Sequence, residues 1–166
     1  MQLLASEEYG LRCLLQVAGA PDGAPVAISR IAGAEGLSPE YTAKLMRELR
    51  LGGLVESVRG AEGGYRLARP AADISVWEAL QVLGGSLYSE AFCACHPGQQ
   101  EACVRSHDCS IRALWRRLES LLRHTLEEIS LSDLVRDEHT MAEWLDPLTL
   151  GPLAAAARTE PAKEPR

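Results

Sequence analysis

SPEYTAKLMRELRLGGLVESVRGAEGGYRLARP, residues 38–70, reads as a helix followed by a hairpin. Ser38 suits the N-cap, because its hydroxyl can accept from a backbone amide of the first turn. Pro39 falls at the first helical position, where a fixed φ is already helical and the missing N–H has no intrahelical partner to lose. Tyr41 through Leu51 continue the helix, and Gly52-Gly53 ends it. Residues 54–58 (LVESV) alternate apolar and polar, as a half-buried strand does. Residues 59–64 (RGAEGG) form a glycine-rich tip, and Tyr65-Arg66-Leu67 return as the second strand.

Upstream, residues 3–19 (LLASEEYGLRCLLQVAG) have helical period. Ser6 is the expected N-cap, with Leu11, Leu14, Leu15 and Ala18 on one face. Pro21, Gly23 and Pro25 mark a loop, and residues 27–35 (AISRIAGAE) form a short helix with Ile28 and Ile31 inward, broken by Gly36. Three helices and then a hairpin is the order of a winged helix-turn-helix. The composition agrees: hydrophobic residues are 46% and aromatic residues only 5%, which favours Leu- and Ala-built helices over a sheet sandwich.

Downstream, residues 74–84 read as a fourth helix and residues 86–109 as a loop without helical or strand period. A long amphipathic helix follows over 110–129, with Ile111, Leu114, Trp115, Leu118, Leu121, Leu122 and Ile129, and Leu126 between the last two, recurring at helical spacings of three and four. An apolar stripe of that length on a small domain is buried most economically against a second copy, so a homodimer is expected. Residues 132–135 suggest a last short helix. The expected fold is mainly α with a small β-hairpin (α+β), a winged helix-turn-helix followed by a long dimerisation helix. Its expected parts are a DNA-binding domain (1–70), a cysteine loop with the dimerisation helix (71–135) and a mobile tail (136–166).

The formal charge of −6 does not by itself suggest a nucleic-acid partner, but it is unevenly spread. The first 70 residues are balanced, and the excess acid lies beyond them. Lys44, Arg47 and Arg50 recur every three residues on the third helix. With Ser38 and Tyr41 at its N-terminal end they form a surface suited to the major groove of double-stranded DNA. Arg59 and Gly60 sit at the hairpin tip, where an arginine can enter a narrow minor groove. Ordinary solvated charge is the alternative, since Glu40 and Glu48 are interspersed; the hairpin that follows favours DNA.

Four of the five cysteines, Cys93, Cys95, Cys103 and Cys109, cluster in the loop, whereas Cys13 falls among leucines and reads as core. No apolar run suits a membrane span and no leader pattern opens the sequence, so a cytoplasmic location is expected. In a reducing compartment such a cluster is a metal site or a redox switch more often than a disulfide frame. Zinc and a metal-free thiol switch are both open, although no Cys-x2-Cys pair favours zinc. No phosphate-binding glycine loop, catalytic triad order or acid–base pair is visible, so enzymatic function is not expected.

The quoted stretch resembles the IscR/NsrR family of bacterial iron–sulfur winged-helix transcription regulators. The resemblance is carried by Ser38-x-x-Tyr41, Leu45, Leu49, Gly53-Leu54-Val55, Ser57-Val58-Arg59-Gly60 and Gly63-Gly64-Tyr65. It continues through Ile74, Ala79, the cysteine loop and Trp115 to about Val135. It implies a homodimer on a palindromic promoter site, acting as a repressor, and an iron–sulfur cluster, [2Fe-2S] in preference to [4Fe-4S], that controls DNA affinity in response to redox state, nitric oxide or cluster supply. Cys103 and Cys109 match the family's last two ligand cysteines. The position of its first is Pro97 here, which leaves Cys95 as the nearest thiolate and Cys93 as the alternative. Some members take a fourth ligand from a histidine three residues after the last cysteine, where this chain has Arg112; others use a carboxylate of the first helix, matched here by Glu8. His96 and His107 are further candidates.

Overall fold

The structure is a computed structural model that describes residues 4–60, 63–86, 88, 92–99 and 101–145. Helix α1 (Ala5–Ala18) is entered at Leu4, not at Ser6 as expected. The Glu7 carboxylate reaches back to accept the Leu4 amide at 2.7 Å, so the acid two residues inside the helix supplies the cap. Its buried face is Gly10, Cys13, Leu14 and Val17; Leu11 and Leu15 flank it, half-buried. Helix α2 (Ile28–Glu35) ends at Gly36, whose φ of 66° a side chain would resist. Ile31 is fully buried, while Ile28 is only partly so.

Helix α3 (Pro39–Leu51) is capped as expected: Ser38 Oγ accepts the Tyr41 amide at 3.2 Å. It buries Thr42, Leu45, Met46 and Leu49 against α1 and α2. The Thr42 hydroxyl donates to the Ser38 carbonyl at 3.0 Å, so the buried polar atom is satisfied. Strands β1 (Val55–Val58) and β2 (Gly64–Leu67) pair antiparallel, with Val55 opposite Leu67 and Val58 opposite Gly64. Val26 adds a bridge to Tyr65, through hydrogen bonds of 2.8 and 2.9 Å in the two directions. That bridge ties the hairpin to the entry of α2, a link the sequence pattern did not reveal. It also explains Gly64: a side chain there would collide with the Val26 carbonyl.

Helix α4 (Val76–Leu83) starts later than expected. Ile74 is extended and fully buried, and Ser75 caps by accepting the Glu78 amide at 3.2 Å. The segment after the long helix α6 (Ser110–Glu127) returns to this point. Val76 donates to the Ile129 carbonyl at 2.8 Å and Leu131 to the Ile74 carbonyl at 2.9 Å. Ile129 therefore belongs to this extended return and not to the helix stripe, and it and Leu131 enter the core. One core cluster joins α1, α2, α3, β1 and α4 with Leu131. Each fully buried leucine or isoleucine in it contributes roughly 1.5–3 kcal/mol. The cysteine loop, expected to lack periodic structure, contains a one-turn helix, α5 (Phe92–Cys95). Residues 138–145, within the expected tail, are helical; the remainder of that tail, 146–166, lies outside the described residues.

Candidate nucleic-acid interface and thiol site

The core-facing stripe of α3 leaves its other side to solvent. Ser38, Lys44, Arg47 and Arg50 are exposed and Tyr41 is half-buried near the N-terminal end. Arg59 and Gly60 are exposed at the wing, where Gly60 has a φ of 119° that lets the chain turn. Ion pairing sorts the cations of this half. Arg12 pairs with Glu35, Arg66 with Glu56 and Arg69 with Glu78. Among the described residues, Lys44, Arg47, Arg50 and Arg59 have no such partner, and neither does the exposed Arg30 on α2. Cations left uncompensated on one helix and a wing tip are what a polyanion requires. Arg30 was missed in the sequence because a lone arginine in a short helix has no pattern.

The five cysteines are all free thiols. Cys13 is fully buried in the core, and burial pushes its thiol up to about 11, so it stays neutral and unreactive. Cys109 stands at the N-cap of α6, where its sulfur accepts the Arg112 amide at 3.4 Å. Arg112 also donates to the Ser106 carbonyl at 2.8 Å, tying the end of the loop to the helix.

Cys93 and Cys95 differ in surroundings. Cys93 is partly buried and shares a hydrogen bond of 3.2 Å with the hydroxyl of Tyr88, itself buried; Cys95 is exposed. The Tyr88 phenol is held above its ordinary range, first by that bond and then by burial, while Arg112 and Arg116 oppose the rise. Sequence patterning gave no sign of Tyr88. His96 stacks on the Phe92 ring, with centroids 4.3 Å apart, and its Nδ1 lies 3.0 Å from the Phe92 carbonyl; His107 is exposed.

The donor set fits an iron–sulfur centre in kind: free, soft thiols on one segment, one of them at a helix N-terminus. Among the described residues, however, no three Cys, His, Asp or Glu side chains of a single chain stand together closely enough to hold a metal ion. Glu8 is exposed in the first turn of α1, and its charge acts on Arg12 one turn on. Beside the loop, α6 has no buried residue; Ile111, Leu114, Trp115 and Leu118 are exposed in the single chain. No described helix is long and apolar enough to cross a membrane.

A helix-turn-helix with a winged hairpin and unpaired cations on its third helix defines a DNA-binding protein of the winged-helix class. The comparisons are more specific. The Rrf2 family model, described as an iron-dependent transcriptional regulator, matches residues 4–137, and the chain belongs to that family. It is 33% identical over 141 residues to the HTH-type transcriptional regulator IscR of Escherichia coli, covering 85% of this chain and 84% of the relative. The structure of IscR from T. potens superposes with a TM-score of 0.63 at 32% identity, covering 81% and 86% of the two chains. That of CymR, the global cysteine regulator of B. subtilis, superposes with a TM-score of 0.65 at 27% identity, covering 82% and 99%. The function class is that of a transcriptional regulator and not of an enzyme.

Proposed function

We propose that this chain is a homodimeric repressor whose affinity for a palindromic promoter site is set by an iron–sulfur cluster, [2Fe-2S] in preference to [4Fe-4S]. Residues 1–70 read DNA through Ser38, Tyr41, Lys44, Arg47 and Arg50 in the major groove and Arg59 and Gly60 at the wing. Residues 71–135 supply Cys103, Cys109 and one of Cys95 and Cys93 as thiolate ligands, and Glu8 is the fourth ligand, contributed by the partner chain. The cluster supplies a redox- and nitric-oxide-sensitive inorganic centre. This chain's own part is mechanical. With Glu8 engaged, α1 is tied to the loop ahead of α6, which fixes the spacing of two recognition helices.

The observation that carries this reading is the run of free thiols leading directly into a helix whose apolar face is uncovered. Anaerobic purification tests it: visible absorbance with iron and labile sulfide is expected in the wild type and loss of both in Cys103→Ala. Colourless wild-type protein without either element, binding its promoter fully, would refute it. A metal-free thiol switch is the second reading, supported by the likeness to CymR and by the hydrogen-bonded Cys93. In that case thiol titration falls on oxidation while iron stays absent throughout. A structural zinc site would instead retain one colourless metal ion per chain.

A further inference from the structure

We propose that Tyr9 is a positioning residue for DNA reading, which holds the first turn of α3 in register with α1 and α2. The inference rests on the reading of α3 as the recognition helix. Tyr9 meets Tyr41 edge-on, with centroids 6.2 Å apart and planes at 84°. The Arg12 guanidinium lies over the Tyr9 ring, 5.4 Å from its centroid. Arg12 is in turn fixed at the end of α2: Nε donates to the Glu35 carboxylate at 2.6 Å and Nη2 to the Glu35 carbonyl at 3.2 Å. Gln16 donates to the other carboxylate oxygen of Glu35 at 2.6 Å. The Glu35 side chain is only 9% exposed while Arg12 is 40% exposed, so the geometry is set from Glu35, whose carboxylate and carbonyl take all three contacts at the end of α2.

The chain Gln16–Glu35–Arg12–Tyr9–Tyr41 therefore links all three helices around the turn that launches α3. Edge-on aromatic contacts and cations over ring faces are directional, unlike aliphatic packing. An aliphatic side chain at position 9 would fill space without fixing the Tyr41 ring or the angle of the first turn. Base contacts of a helix-turn-helix come from the N-terminal residues of the recognition helix, so orientation there affects sequence discrimination more than general attraction to phosphate.

The test uses full-length protein and two duplexes of equal length, one selected from a random-sequence library by the wild type and one scrambled. Tyr9→Leu is expected to weaken binding to the selected duplex about tenfold. Affinity for the scrambled duplex and the salt dependence of binding stay as in the wild type, since no cation is removed. Tyr9→Phe, which keeps both ring contacts, restores discrimination. An unchanged ratio of the two affinities in Tyr9→Leu, or equal loss on both duplexes, overturns the proposal. If Tyr9→Leu melts below the assay temperature, Tyr9→Met, which also lacks a ring and removes no cation, takes its place with the same expected outcomes. The Lys44→Ala, Arg47→Ala double variant is the control for the underlying reading. If it leaves binding to both duplexes intact, α3 is not the recognition helix. If it weakens both while Tyr9→Leu keeps its discrimination, only the positioning role is lost.

Discussion

Asp133 carries a pH dependence that follows from its neighbours. Its carboxylate accepts from the Ser130 hydroxyl at 2.6 Å and from the Ser130 amide at 3.0 Å, and Arg136 lies 3.0 Å away. These partners, the Ser130 hydroxyl foremost, hold its pKa below the ordinary carboxylate value, against the opposing effect of burial. A depressed folded-state pKa contributes stability above the unfolded value, and that stability is lost as pH falls through the folded value. The turn matters because it aims Leu131 at Ile74 and closes the core. Asp133→Asn is expected to lose about 1 kcal/mol at neutral pH, read as a melting temperature lower by roughly 3 °C. The difference from the wild type should vanish in acid, below the usual carboxylate range. A difference that persists unchanged at low pH would show that shape and not charge is responsible.

At the scale of elements, α6 is the one whose sequence and surroundings disagree in a single chain. Its apolar residues recur as a core-facing helix requires, yet Leu114 is 54% exposed and Ile111 53%. Because Leu114 contributes little to the fold of one chain, Leu114→Glu should leave helix content and melting largely intact. If α6 forms the proposed homodimer, sedimentation is expected to move from dimer to monomer, with promoter affinity falling at least about 100-fold through loss of the second half-site. A variant that stays dimeric would place the interface elsewhere. Where local rules govern an element, the sequence was a sufficient guide: the Ser38 cap, the stop at Gly36 and the two wing strands follow from residues adjacent to them. Where distant chain decides, it was not. Ile74 and Ile129 have the apolar periodicity of their neighbouring helices but are extended, because each supplies hydrogen bonds to the other's segment. Ser6 loses the cap to the longer reach of Glu7. The cationic face was legible because it is periodic. Tyr9, Tyr88 and Arg30 were not, since each acquires its meaning from a partner that patterning cannot see.

Across the whole molecule, α4 shares the core of α1 and α3 and carries the long helix on its other side. Gly10 of α1 lies against Leu83 of α4, and α4 packs on α6. Ser86 Oγ and the Tyr88 amide both donate to Glu119 of α6, so the chain entering the cysteine loop is fastened to the long helix. Glu8 occupies the other end of this route. It is exposed, stands beside Tyr9, and acts electrostatically on Arg12, which is itself fixed to α2. On the proposed reading Glu8 would hold a cluster through a carboxylate, which binds such iron less tightly than the thiolates would. On that reading, Glu8→Ala is expected to keep the fold and the thiols of the loop but to sever the proposed link between α1 and the loop. The measured quantity is the ratio of promoter affinities of cluster-loaded and cluster-free protein. If the proposed function holds, that ratio departs from one in the wild type; in Glu8→Ala it should approach one, with apo affinity little changed, since Glu8 lies outside the cationic face. A ratio equal to that of the wild type would mean that the two halves communicate without α1, through α4 and α6 alone.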